Sequence, residues 1–128
     1  MEDTGATAKS FLPLTPAVFS ILLVLASGKK HGYAIMQETA QSSASALRIG
    51  PGTLYRSIKQ LLAAGLIEES GDRPDLRLDD ERRRYYRLTA IGRRVLAAEA
   101  QRLAQLVSIA RSQGLLTDQH MPRTGRAR

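Results

Sequence analysis

Residues 17–26 are apolar except for Ser20, and Thr15 and Pro16 stand directly before them. Thr15 suits an N-cap, and Pro16 falls at the first helical position, where a missing N–H costs nothing. The run is about half of the ~20 residues needed to cross a bilayer, so it reads as a buried core helix that Gly28 ends. Ala17, Val18, Phe19, Ile21, Leu22, Leu23, Val24 and Leu25 surround its axis, and no single neighbour can cover such a helix. It must sit centrally, with a second subunit as a further source of cover.

The pattern beyond it supplies the neighbours. A second helix is expected over residues 32–42, with Tyr33, Met36 and Ala40 on its inner face and Ile35 at the border. A Ser and Ala stretch leads to Leu47, and a third helix opens at Gly50-Pro51 and ends near Ala64, before Gly65. Residues 66–70 and 83–88 then read as two strands flanking a polar excursion, the form of a wing. That excursion exceeds the common hairpin length, and Pro74 with the acidic Asp79-Asp80-Glu81 predicts a mobile tip. Thr89 caps a long final helix. Along it Leu96, Ala100, Leu103, Val107 and Ala110 alternate four and three residues apart, and Ile91, Val95, Leu106 and Ile109 widen the stripe, which calls for a partner.

The expected fold class is therefore mainly α with a small β-hairpin: a winged helix-turn-helix over residues 11–88 and a long C-terminal dimerisation helix over residues 89–116. Residues 1–10 and the basic residues 117–128 lack periodicity and are expected to be disordered tails. Phe19, Leu96, Leu103, Leu106, Val107 and Ala110 are the expected dimer contacts.

At 128 residues the chain has room for one core. Its net charge of +7, from 19 Lys and Arg against 12 Asp and Glu, suits a polyanionic partner, nucleic acid or an anionic membrane surface. No cysteine is present, which excludes a disulfide framework, a thiolate zinc site and a cysteine nucleophile. No membrane-spanning run and no signal peptide pattern is read, so a cytoplasmic protein is expected. His31 falls in a turn and His120 in the tail, neither in a metal-ligand spacing, and no phosphate loop or nucleophile elbow occurs. Neither enzymatic activity, metal nor cofactor is expected.

The third helix is the informative element. Leu54, Ile58, Leu61 and Leu62 should point inward, leaving Gly52, Thr53, Arg56, Lys59 and Gln60 outward, a set of donors and small residues suited to the major groove. Gly52 and Thr53 start the helix, where unpaired N–H groups and a hydroxyl can hold a phosphate. Arg82, Arg83 and Arg84, followed by Arg87, Arg93 and Arg94, form a basic run without an acid. Arg82 and Arg84 share a strand face and Arg83 lies on the other, so this run is expected to touch phosphates. The competing role for it is guarding a strand edge.

Through His31-Gly32-Tyr33, Gly52-Thr53-Leu54-Tyr55, Leu61 with Gly65-Leu66-Ile67, and Tyr85-Tyr86 with Leu88-Thr89 and Gly92, the chain resembles the PadR-like family of transcriptional regulators. The resemblance implies a winged helix domain that binds double-stranded DNA, homodimerisation through the last helix, and repression relieved by a small molecule or signal. Thr53 and Tyr55 are similar to the family's backbone-contacting positions. Two departures stand out: Arg56 replaces a common proline, and the chain has no Trp, so the drug pocket of members that use tryptophans does not carry over. An apolar effector would be expected where the first and last helices of two subunits meet, near Phe11, Phe19, Leu103 and Val107. The alternative function is a winged helix for protein or RNA contact. RNA modules display stacking aromatics, whereas the tyrosines here fall on packing elements.

Overall fold

The computed structural model describes residues 8–41, 49–70 and 84–117. Its elements, in order, are α1 (Pro16–Leu25), β1 (Lys30–His31), α2 (Gly32–Ala40), α3 (Pro51–Ala64), β2 (Ile67–Glu69), β3 (Tyr85–Leu88) and α4 (Ala90–Ser112). The chain is mostly helical with one small antiparallel sheet, the winged helix plan with a long C-terminal helix.

Helix α1 begins as its sequence dictates. The Thr15 hydroxyl accepts from the Val18 N–H at 3.2 Å, and Pro16 opens the first turn. The helix ends at Leu25, ahead of Gly28, whose φ of +145° only glycine adopts readily. Ile21, Leu22 and Leu25 are fully buried, and α2, α3, α4 and β3 all pack on α1, which gives it the central place its composition requires. The core begins earlier than residue 11: Ala8 is buried with it, and the Phe11 and Leu12 N–H groups donate back to the carbonyls of Ala8 and Lys9.

The wing is part of a three-stranded sheet of order β1-β3-β2, so the expected two-stranded hairpin is incomplete. β1 pairs Lys30 with Tyr86 and His31 with Tyr85. Two residues are too few to show alternation, so no periodicity marks β1. The register of β2 on β3 sets Ile67 against Leu88, Glu68 against Arg87 and Glu69 against Tyr86. Tyr86 and Ile67 therefore face the core while Glu68 and Arg87 face outward.

Helix α2 buries Gly32, Ile35 and Thr39, with Met36 and Ala40 only half-buried. Tyr33, expected in the core, is 42% exposed, because the buried stripe is centred on Ile35, nearly a half turn from it. Helix α3 buries Leu54, Ser57, Ile58 and Leu61. Leu62 is 37% exposed and Ser57 takes its expected inner position, since a hydroxymethyl group fits between Leu54 and Leu61 on the axis of the stripe. Gly65 closes α3 in the left-handed region, φ +80°, and the Leu66 N–H returns to the Leu61 carbonyl.

Residues 1–7, 42–48, 71–83 and 118–128 lie outside the described residues, and with them the expected wing tip, the Ser and Ala stretch, His120 and most of both expected tails. Among the described residues no helix is long and apolar enough to cross a membrane.

Candidate nucleic-acid interface

The candidate interface is built on α3. Gly50 is its N-cap and makes no side-chain capping bond, Pro51 has no N–H, and the first intrahelical bond runs from the Leu54 N–H to the Gly50 carbonyl. The N–H groups of Gly52 and Thr53 thus have no intrahelical acceptor and point out of the helix start. Gly52, Thr53, Arg56, Lys59 and Gln60 are all exposed, as their spacing predicts. Arg56 Nη2 donates to Thr53 Oγ1 at 3.5 Å, a long contact that leans the guanidinium toward the N-terminal end of the helix. No Asp or Glu occurs on α3, so its outer face carries two cations and no competing carboxylate.

Tyr55 stands apart from that set. It is half-buried with its hydroxyl enclosed, and a methyl group on Gly32 would come within 2.9 Å of both its Cε1 and its hydroxyl oxygen. Its ring therefore fills the space that Gly32 leaves open and sets how closely α2 and α3 approach. The start of α2 is held by His31, whose Nδ1 accepts from the Ala34 N–H at 3.0 Å while its ring meets Tyr85 edge-on at 5.3 Å. The turn histidine is thus a helix cap that ties the sheet to α2.

The basic run divides. Arg82 and Arg83 lie outside the described residues. Arg84 pairs with Glu69 at 3.5 Å, and Arg87 donates to Glu68 at 2.8 Å, both across the β2–β3 pair. Charge matching inside the sheet accounts for these two arginines first. Arg87 lies on β3, the central strand, so it does not guard an edge, and Arg84 immediately precedes that strand. Arg93 and Arg94, in the first turns of α4, are exposed.

The expected dimer residues lie along α4. Its inner face runs through Gly92, Val95, Leu96 and Glu99, all buried, and continues at the same spacing through Leu103, Leu106, Val107 and Ala110. Leu96, one of the expected dimer residues, is buried within its own protomer. Leu106 is 50% exposed and Val107 43%, while Leu103, Ala110 and Phe19 are half-buried. Glu99, rather than the expected Ala100, holds the stripe at the point where it leaves the domain. It is 1% exposed, accepts Arg102 Nε at 2.6 Å and Nη2 at 2.9 Å, and accepts the Leu14 N–H at 3.0 Å. The Arg102 hydrogen bonds hold its carboxyl below the usual range against the opposing effect of burial, helped by the Leu14 N–H and the arginine charge. Sequence spacing alone missed Glu99; the available signal was an Arg three residues on, within pairing reach on a helix.

A helix-turn-helix with a three-stranded wing and a long following helix defines a winged helix protein. The model of the transcriptional regulator PadR-like family matches residues 21–98, and the chain belongs to that family. It is similar to a PadR family transcription regulator from hypervirulent Clostridium difficile R20291, with 21% identity, a TM-score of 0.64, and coverage of 77% of this chain and 97% of that one. It is also similar to RosR of H. salinarum, at 28% identity and a TM-score of 0.55 over 77% of this chain and 78% of that one. Over 89 residues, 67% of its length, it is 38% identical to an uncharacterized 37.1 kDa protein in transposon TN4556 of Streptomyces fradiae, and the match spans 22% of that protein.

Proposed function

We propose that this chain is a sequence-specific regulator of transcription that binds duplex DNA as a homodimer. The observation that carries this reading is the outer face of α3, where Gly52, Thr53, Arg56, Lys59 and Gln60 are exposed together with no carboxylate among them. A helix so equipped fits the major groove: backbone N–H groups at its start meet a phosphate, and side chains one turn on reach base edges. Arg56 presents a planar fork to a guanine O6 and N7, and Lys59 supplies a phosphate contact. Tyr55 serves by positioning α3 on α2. Arg82 and Arg83 of the wing add phosphate contacts, with Arg84 contributing only so far as Glu69 releases it.

The exposed continuation of the α4 stripe supports the homodimer, because an apolar face that leaves its own domain is covered by a copy of itself at least cost. A two-fold dimer places two α3 helices on a palindromic site. Occupying such a site blocks other proteins from it, so repression is the inferred mode, with an effector releasing it, in the cytoplasm. Competition between a duplex carrying the selected site and single-stranded RNA of equal length tests the choice of nucleic acid. The duplex should displace the protein's labelled DNA and the RNA should not. Lys59→Ala should lower the salt slope of binding by about one. RNA competing as well as the duplex would refute the reading.

A further inference from the structure

Tyr33 and Tyr55 stand where the start of α2 meets the N-terminal end of α3, and the two phenols are placed in opposite ways. Tyr55 borders the outward face of α3, one turn before Lys59 on the same side of the helix. Its ring turns toward α2, and its hydroxyl is enclosed against Gly32, the first residue of that helix. Tyr33 follows Gly32 directly and lies about 100° further round α2. It is 42% exposed, and its hydroxyl makes no hydrogen bond among the described residues. This phenol therefore stands at the rim of the Gly32–Tyr55 contact.

The charges around Tyr33 leave its surroundings open to an anion. Glu38 is the only acid of α2; it lies about 140° round the helix from Tyr33. It pairs with Lys30 of β1 at 3.4 Å, which holds it on the side of the sheet. α3 carries no acid.

We propose that Tyr33 is a further DNA-contacting residue, whose hydroxyl donates to a backbone phosphate and fixes how α3 seats in the groove. The assignment rests on the duplex-binding reading above. The major groove admits one helix, so when α3 occupies it the first turn of α2 stays at the groove wall, where the phosphates run. Tyr55 is the spacer behind this contact: through Gly32 it sets the distance between the helix that enters and the helix that rests on the wall. The roles expected from the sequence, Tyr33 inward and Tyr55 on the DNA backbone, are thereby exchanged. The contact has its own signature. A phosphate contact carries no base preference directly. A neutral phenol also displaces no condensed counterion, whereas Lys59 does.

The test is ethylation interference on a duplex carrying the selected site, with the parent, Tyr33→Phe and Tyr55→Phe, together with salt titrations of the same complexes. In the parent, one phosphate in each half-site should tolerate no ethyl group because Tyr33 donates to it. Tyr33→Phe should bind about tenfold more weakly per half-site, the loss of a hydrogen bond to a charged group. Ethylation of that phosphate should then no longer interfere. The salt slope, the base preferences and the unfolding temperature of Tyr33→Phe should match those of the parent. Tyr55→Phe should keep the full set of interfering phosphates. Parent-like affinity and interference in Tyr33→Phe would overturn the assignment, as would a phosphate released by Tyr55→Phe alone. A parent that shows interference at no phosphate would overturn the duplex reading itself, and the assignment with it.

Discussion

The backbone of Gly92, in the first turn of α4, lies directly on the backbone of Leu66, so closely that a methyl group at Gly92 would overlap the Leu66 carbonyl. Thr89 fixes this contact from both sides. Its hydroxyl donates to the Gly65 carbonyl at 2.6 Å and accepts the Gly92 N–H at 3.0 Å, and its own N–H donates to the Leu66 carbonyl at 3.1 Å. The end of α3, the start of β2 and the start of α4 are thus one junction. Gly92→Ala forces backbone apart from backbone and should cost about 3 kcal/mol, at the upper end of overpacking. Thermal unfolding monitored by circular dichroism should show Tm lowered by roughly 10–20 °C. A Tm within a few degrees of the parent would show that the junction yields.

Glu99 makes stability depend on pH in a definite direction. Its carboxyl is held below its unfolded value, chiefly by the Arg102 hydrogen bonds, so the folded state favours the ionised form. The contribution is complete above the unfolded carboxyl pKa of about 4.3 and is lost as pH falls through the lower folded value. Urea unfolding of the parent and of Glu99→Gln should therefore differ most at pH 6 to 7, and the gap should close below about pH 4. A gap that does not change with pH would mean that the charge of Glu99 contributes nothing.

The α4 stripe predicts an obligatory partner for its outer half. Leu106 and Val107 are exposed in the protomer, so Leu106→Asp with Val107→Asp should leave the protomer's own fold intact while placing charges in the dimer seam. Light scattering should fall from twice 14.0 kDa to 14.0 kDa, and specific DNA binding should fall with it. A double variant that keeps the dimer mass would place the seam elsewhere.

Much of this architecture was legible because helix periods and caps are local. Thr15 with Pro16, Gly50 with Pro51, Gly65 and Thr89 each mark a helix boundary through their own chemistry, and all four boundaries fall where they predict. The five outward residues of α3 were legible for the same reason. What escaped depends on contacts distant in the chain. β1 is strand only because β3 lies beside it, and Tyr33 is exposed because neighbouring elements cover Ile35 instead. Arg87 reads as a free cation until the strand register sets Glu68 against it, and Arg84, just before β3, until the same pairing brings Glu69 within reach. Glu99 is buried because Leu14, 85 residues away in the chain, brings it a donor. A groove lined by Lys9 and Arg102 was invisible for the same reason, since its two cations are far apart in the chain.

The central claim is that the outer face of α3 reads base sequence, and Arg56 is the residue that tests it most directly. The measurement is selection of bound fragments from random duplexes, made in parallel with the parent, Arg56→Lys and Arg56→Ala. The parent should enrich a palindrome with half-sites one DNA turn, about 34 Å, apart. Arg56→Lys keeps the charge and loses the bidentate fork, so non-specific affinity should hold while one guanine in each half-site loses about 1 to 3 kcal/mol of discrimination. Selection of the same site with the same base preferences by all three proteins would contradict the account.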